Sequence, residues 1–133
     1  MLFAYWLEDH PVYAAEVQQI FERMQRRQDV LCSSVFTLGE LLTGPAKRND
    51  DGAASSMKAF FRSSAVEVSP FTVETAERYA HIRAERRVSP SDAIHLACAA
   101  QSGVDLFLTN DHHLRGLVIP GIHFIAPMSS ELF

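Results

Sequence analysis

The chain of 133 residues fits one domain, since a domain of about that length buries roughly two-thirds of the surface its unfolded chain exposes. With 47% apolar and 21% charged residues it has the composition of an ordinary globular protein, which excludes the disordered, collagen-like and disulfide-dense classes. A formal charge of −4 excludes bulk electrostatic capture of nucleic acid, which shows as a strongly basic domain, so a nucleic-acid enzyme here has to work through local patches.

From Pro11 to Arg27 the apolar residues Tyr13, Val17, Ile20, Phe21 and Met24 recur at three- and four-residue steps, and Pro11 suits a first turn, so the segment predicts an amphipathic helix. The run Val30-Leu31-Cys32 then reads as a buried strand. Ser33 or Ser34 caps a second helix running through Leu42, with Gly44 and Pro45 as its stop and residues 45–52 as a polar loop. Met57, Phe60 and Phe61 mark a third helix, and Val66 and Val68 alternate with polar neighbours as a strand would. Thr72 caps a fourth helix, in which Val73, Ala76, Ala80 and Arg83 form one line beside Tyr79 and Ile82.

Ser89-Pro90-Ser91-Asp92 is a helix start with a serine cap, proline at the first helical position and an acid in the first turn, and Gly103 ends that helix. Between them Ala93, Ile94, Leu96, Ala97, Cys98, Ala99 and Ala100 leave little polar surface, so burial on most sides is expected. Val104 to Leu108 reads as a short strand, Thr109-Asn110-Asp111 leaves its end, and Ile122 to Ile125 supplies a last strand. Strands alternating with helices predict an α/β fold, a three-layer sandwich around a mainly parallel sheet, with function at the carboxyl ends of the strands.

Cys32 and Cys98 lack the spacing of a zinc or redox pair and read as buried thiols. No segment reaches the roughly 18 consecutive apolar residues of a membrane span and no cleavable leader is seen, so a cytoplasmic protein is expected. The basic residues cluster as Arg23, Arg26 and Arg27, as Lys47 and Arg48, and as Arg78, Arg83, Arg86 and Arg87, which suits either a phosphate-binding patch or solvated helix faces.

Three acids lie just after a predicted strand or in the first turns of an apolar helix: Glu40, Asp92 and Asp111. Each has an ordinary structural explanation, as a solvated helix acid for Glu40, a helix-dipole or capping-box acid for Asp92 and a turn residue for Asp111. Together they also suit a hard divalent ion, Mg²⁺ or Mn²⁺, which takes oxygen ligands and in nucleases holds a phosphodiester and activates water. On that reading their carboxylates converge within reach of one metal. His95 stands one turn after Asp92 and reads as a half-buried structural histidine, while His112 and His113 flank Asp111 in a loop. Tyr13, Val17, Ile20, Phe60 and Phe61 offer more apolar surface than one small core needs, which predicts a partner groove.

The segments Ser33-Ser34-Val35-Phe36-Thr37-Leu38-Gly39-Glu40-Leu41-Leu42, Ser91-Asp92-Ala93-Ile94-His95-Leu96-Ala97 and Leu108-Thr109-Asn110-Asp111 resemble, in order and separation, the acidic motifs of PIN domains in VapC-type toxins. The resemblance spans residues 2 to about 126 and treats residues 1–133 as one PIN-like domain. It implies a parallel sheet of strand order 3-2-1-4-5 and Mg²⁺- or Mn²⁺-dependent cleavage of RNA. Glu40, Asp92 and Asp111 would bind the metal, with Thr109 and Asn110 in support. It also implies a homodimer silenced by a cognate antitoxin. Family members open with an apolar strand ending in Asp-Thr-Asn, whereas Leu2-Phe3-Ala4-Tyr5-Trp6-Leu7-Glu8-Asp9-His10-Pro11 resembles the helix that follows it. The usual first, central strand and first catalytic Asp are therefore expected to be missing here, and Glu8 and Asp9 lie too far along to replace that Asp. Strands near residues 30–32 and 104–108 then either close on each other, borrow a strand, or leave the sheet poorly stable.

Overall fold

The computed structural model describes Phe3 and residues 11–129; the resemblance of residues 2–11 to a first helix falls mostly outside them, although Phe3 is itself helical. Five helices and four strands follow: α1 (Ala14–Arg27), β1 (Cys32–Ser34), α2 (Val35–Arg48), α3 (Asp51–Arg62), β2 (Glu67–Ser69), α4 (Val73–Glu85), α5 (Pro90–Ser102), β3 (Leu106–Leu108) and β4 (Phe124–Ala126). This is the mixed α/β fold with parallel strands that the alternation predicts. No helix among the described residues is long and apolar enough to cross a membrane.

The sheet is split. β1 pairs in parallel with β2, β3 pairs in parallel with β4, and no described strand joins the two pairs. Each pair stands as its own two-stranded sheet, and no continuous five-strand order is formed among the described residues. β1 and β3 do not close on each other.

The caps explain most helix starts. Ser34, Thr72 and Ser89 each sit in extended backbone and accept the N–H three residues on, and Thr72 with Thr75 closes a reciprocal capping box. Gly103 ends α5 in the left-handed conformation, where φ is +67°.

Several boundaries differ from the sequence reading: α1 begins at Ala14 and not Pro11, β3 at Leu106 and not Val104, and β4 covers Phe124–Ala126 in place of Ile122–Ile125. Pro45 does not stop α2: it is buried inside the helix, which runs to Arg48 and closes at left-handed Asn49, so the polar loop of residues 45–52 shrinks to Asn49 and Asp50. An interior proline costs about 3 kcal/mol, and burial of its ring offsets part of that. The strand after α1 is Cys32–Ser34, because Val30 is exposed and the chain begins pairing only at Leu31, whose C=O accepts from Glu67 N–H. In α4 the buried positions are Thr75 and Ile82, with Tyr79 packed beside them, so the line through Val73, Ala76, Ala80 and Arg83 faces solvent.

Three apolar clusters hold the fold. Ile82 of α4, with Ala93, Leu96, Ala97 and Ala100 of α5, packs against Leu114, Ile119 and Ile122 and the β3-β4 pair. Phe3, Leu41, Met57, Phe61 and Val66 form the second, beside β1 and β2. Val17 and Ile20 of α1 meet Met128 in the third. Val17, Ile20 and Phe61 are thus buried in the chain's own core, while Tyr13 and Phe60 are half-buried and pack against the same clusters.

Gly121 has φ +99°, and a Cβ there would lie 2.6 Å from the Ala100 carbonyl oxygen and 2.9 Å from Arg78 Nη1. Gly103 shares the left-handed backbone but has nothing within 4 Å. Left-handed backbone alone costs an L-residue about 1–2 kcal/mol. Urea unfolding should therefore show a larger loss for Gly121→Ala than for Gly103→Ala; equal losses would mean that the close approach to α5 is unimportant.

Candidate active site

The carboxyl end of β1 runs without a loop into α2, so Ser34 is both the last strand residue and the helix cap. Its buried Oγ accepts from Thr37 N–H at 3.2 Å and lies 3.2 Å from His95 Nδ1. Thr37 Oγ1 is 3.4 Å from the same ring nitrogen. On the other side of the ring, His95 Nε2 is 2.6 Å from Glu40 Oε1.

A carboxylate only accepts, so Nε2 carries the proton and the Ser34 or Thr37 hydroxyl can donate to Nδ1. The result is a chain of donors from the α2 cap through the imidazole to Glu40, with Phe36 packed on the ring at a centroid distance of 5.4 Å. His95, 23% exposed, is the hub that joins α2 to α5, while the Glu40 side chain remains 47% exposed. His95 is the half-buried structural histidine of the sequence reading, but its partner lies 55 residues away and no periodicity points to it.

Asp92 sits in the first turn of α5. Its N–H donates to Ser89 Oγ at 3.2 Å, one half of a capping box. Asp92 is half-buried, and no hydrogen bond or ion pair holds its carboxylate among the described residues. Glu40, Asp92, Ser34, Thr37 and His95 all line one groove of about 930 Å³.

The groove also reaches Thr109 at the end of β3, but not Asp111. Asp111 shapes the turn that follows: its N–H donates to the buried Thr109 Oγ1 at 3.0 Å and its Oδ1 accepts from His113 N–H at 2.9 Å. Asn110 ties the strand exit to Met128, with Nδ2 3.1 Å from the Met128 sulfur. Among the described residues, no group of three or more His, Cys, Asp and Glu side chains gathers closely enough to hold a metal ion. Glu40 and Asp92 share the groove, and Asp111 stands beyond Thr109.

The arginines of α4 and its C-cap are tied to nearby chain. Arg78 donates to Gln101 Oε1 at 2.8 Å and to Pro120 O at 3.0 Å, Arg83 to Val88 O at 2.8 Å, and Arg86 to Val118 O at 2.6 Å. Arg78 and Arg86 therefore fasten α4 and its C-cap to α5 and to the 118–120 segment, and Arg83 holds the linker at Val88. Both cysteines are free. Burial, reinforced by the charge of Glu67, pushes the half-buried Cys32 thiol up from its ordinary value, and burial alone raises the buried Cys98.

No curated protein and no solved structure matches this chain. The model of the PIN domain family matches residues 2–118, a span that includes Glu40, the whole of α5 and Asp111. With all five of its described helices and three of its four described strands inside that match, the chain belongs to the PIN domain family.

Proposed function

We propose that this chain is a metal-dependent endoribonuclease, the toxin of a type II toxin-antitoxin pair of the VapC type, with Glu40, Asp92 and Asp111 as its metal-binding acids. PIN domains are in general nucleases, hydrolases of phosphodiester bonds, and the match to that family supports the reaction class. The observation that carries the reading for these residues is half-buried Asp92, its carboxylate unpartnered among the described residues, in the groove that Glu40 also lines. Two carboxylates lining one groove offer the oxygen ligands that a hard divalent cation takes.

The donor set is hard oxygen. Glu40 and Asp92, which share the groove, would hold Mg²⁺ or Mn²⁺ with waters and substrate phosphate completing the shell, and Asp111, outside that groove, would join only through a water or a shifted turn. Such an ion would supply charge neutralisation at the phosphate and a more acidic bound water. The chain's own part is positioning: His95, held by the Ser34 cap, fixes the Glu40 carboxylate, and Thr109 sets the turn that presents Asp111. A cognate antitoxin and a homodimer follow from the VapC resemblance.

A second reading, a catalytically impaired PIN protein acting through a partner, is favoured by one observation: the three acids form no metal-holding group among the described residues. Labelled single-stranded RNA incubated with the full chain and Mg²⁺ or Mn²⁺ separates the two. Cleavage that EDTA stops supports the nuclease. A folded protein that cleaves with neither ion sinks that reading and leaves the partner-binding one.

A further inference from the structure

Glu40 is the more exposed partner of the His95 bond, with 47% of its side chain open against 23% for the imidazole. A glutamate so placed on a helix swings freely, because its last torsion is broad and soft. Here His95 Nε2 holds Oε1 at 2.6 Å, a short bond of the kind an ionised acceptor makes. Oε2 has no hydrogen-bond or ion-pair partner among the described residues. The two oxygens of one carboxylate are therefore unequal.

The imidazole is itself fixed. Ser34 Oγ, 3.2 Å from Nδ1, already accepts from Thr37 N–H, which leaves its own proton to donate, and Thr37 Oγ1 stands 3.4 Å from the same nitrogen as the alternative donor. Phe36 packs on the ring. These residues belong to the cap and first turn of α2, the helix that also carries Glu40, so one helix grips both ring nitrogens. Neither nitrogen is left to ligate an ion. His95 stands one turn after Asp92 and beside Glu40, yet any effect it has on a metal must pass through the Glu40 carboxylate.

We propose that His95 is a positioning residue that sets ion choice: by holding Oε1 it leaves Glu40 one oxygen, Oε2, for a divalent cation, and it thereby favours a small octahedral ion over Ca²⁺. This rests on the reading of Glu40 as a metal-binding acid. Mg²⁺ and Mn²⁺ suit single carboxylate oxygens completed by water, whereas Ca²⁺ takes roughly six to eight oxygens and readily accepts both from one carboxylate. An oxygen already held closely by a donor is a poorer ligand. Released from His95, Glu40 can turn and offer both.

The test uses the full chain without RNA. Bound Mn²⁺ is measured by the loss of its free electron paramagnetic resonance signal, and Ca²⁺ by its displacement of that Mn²⁺. The wild-type chain should prefer Mn²⁺. His95→Leu, which cannot donate, should bind Mn²⁺ about 10–100-fold more weakly, and the preference for Mn²⁺ over Ca²⁺ should fall about tenfold or more. His95→Asn, whose amide is too short to reach Oε1, should shift the preference in the same sense and serves if the leucine variant does not fold. His95→Gln, whose longer amide can still donate, should keep the preference within about threefold of wild type. In a Glu40→Gln background, His95→Leu should change the preference no further.

A merely structural role for His95 predicts a lower melting temperature and both ions weakened in proportion, with the preference unmoved. That outcome, in a folded variant that still binds Mn²⁺, overturns the proposal and leaves Glu40 in the metal site. A shift that persists in the Glu40→Gln background also overturns it. A folded wild-type chain that binds no Mn²⁺ overturns it together with the metal reading of Glu40.

Discussion

Asp92→Asn is expected to lower Mg²⁺-dependent RNA cleavage by about 10²–10³-fold, the size of effect seen when one preorganised electrostatic group is removed from a catalytic site. The substitution keeps shape and volume and removes charge. The capping role of residue 92 is carried by its backbone N–H, which donates to Ser89 Oγ, so the cap survives. The carboxylate has no partner among the described residues, so no native hydrogen bond is lost with it. The stability cost is then limited to the helix-dipole contribution, about 0.3–1 kcal/mol. Paired measurement of cleavage rate and urea unfolding checks both halves. Unchanged cleavage by a folded Asp92→Asn variant would remove Asp92 from the site. Glu40→Gln is a poorer probe, because it also weakens the bond to His95 that holds α2 against α5.

Leu96→Ala is expected to be the most damaging of the conservative truncations, at about 2–5 kcal/mol. Leu96 is fully buried in the cluster that joins α4, α5 and the 114–122 segment. Its cluster neighbours on α5 are alanines, whose short side chains cannot swing in to fill the gap, so the cavity term should be near the upper part of that range. Domains are stable by only about 5–15 kcal/mol, so such a loss brings the protein close to its unfolding threshold. The urea midpoint with m held constant is the readout. A loss under about 1 kcal/mol, well below the usual range for a buried leucine, would mean that α5 is not the closed centre of the fold.

Local grammar makes much of this legible in advance. Ser89-Pro90 and Gly103 delimit α5 in sequence and in structure, and Thr72 starts α4, because caps act through atoms only a few residues apart. Pro45 misleads for the opposite reason: its local cost is real, but tertiary burial of its ring offsets part of it and the helix runs on to Arg48. The three-residue strands are only approximately placed by pattern, since Val30 is as apolar as its neighbours yet lies outside the ladder. For the site, sequence marks Glu40 and Asp92 by their position after a strand and at a helix start. It cannot show that His95 bridges to Glu40, or that Asp111 commits one oxygen to the His113 N–H, because both depend on long-range or turn geometry with no period.

Arg78 of α4 and its C-cap Arg86 bear on how the proposed RNA contacts would be mapped. A scan that neutralises basic residues one at a time will find Arg78 and Arg86 defective, and a binding assay alone will credit them with touching phosphate. Both guanidinium groups instead hold main-chain carbonyls of the 118–120 segment, so their loss should first appear as a lowered melting temperature and a protease-sensitive loop. Arg87, Lys47 and Arg48 carry the same charge without such ties among the described residues, and they are the positions at which a change in the salt dependence of RNA binding can be taken at face value.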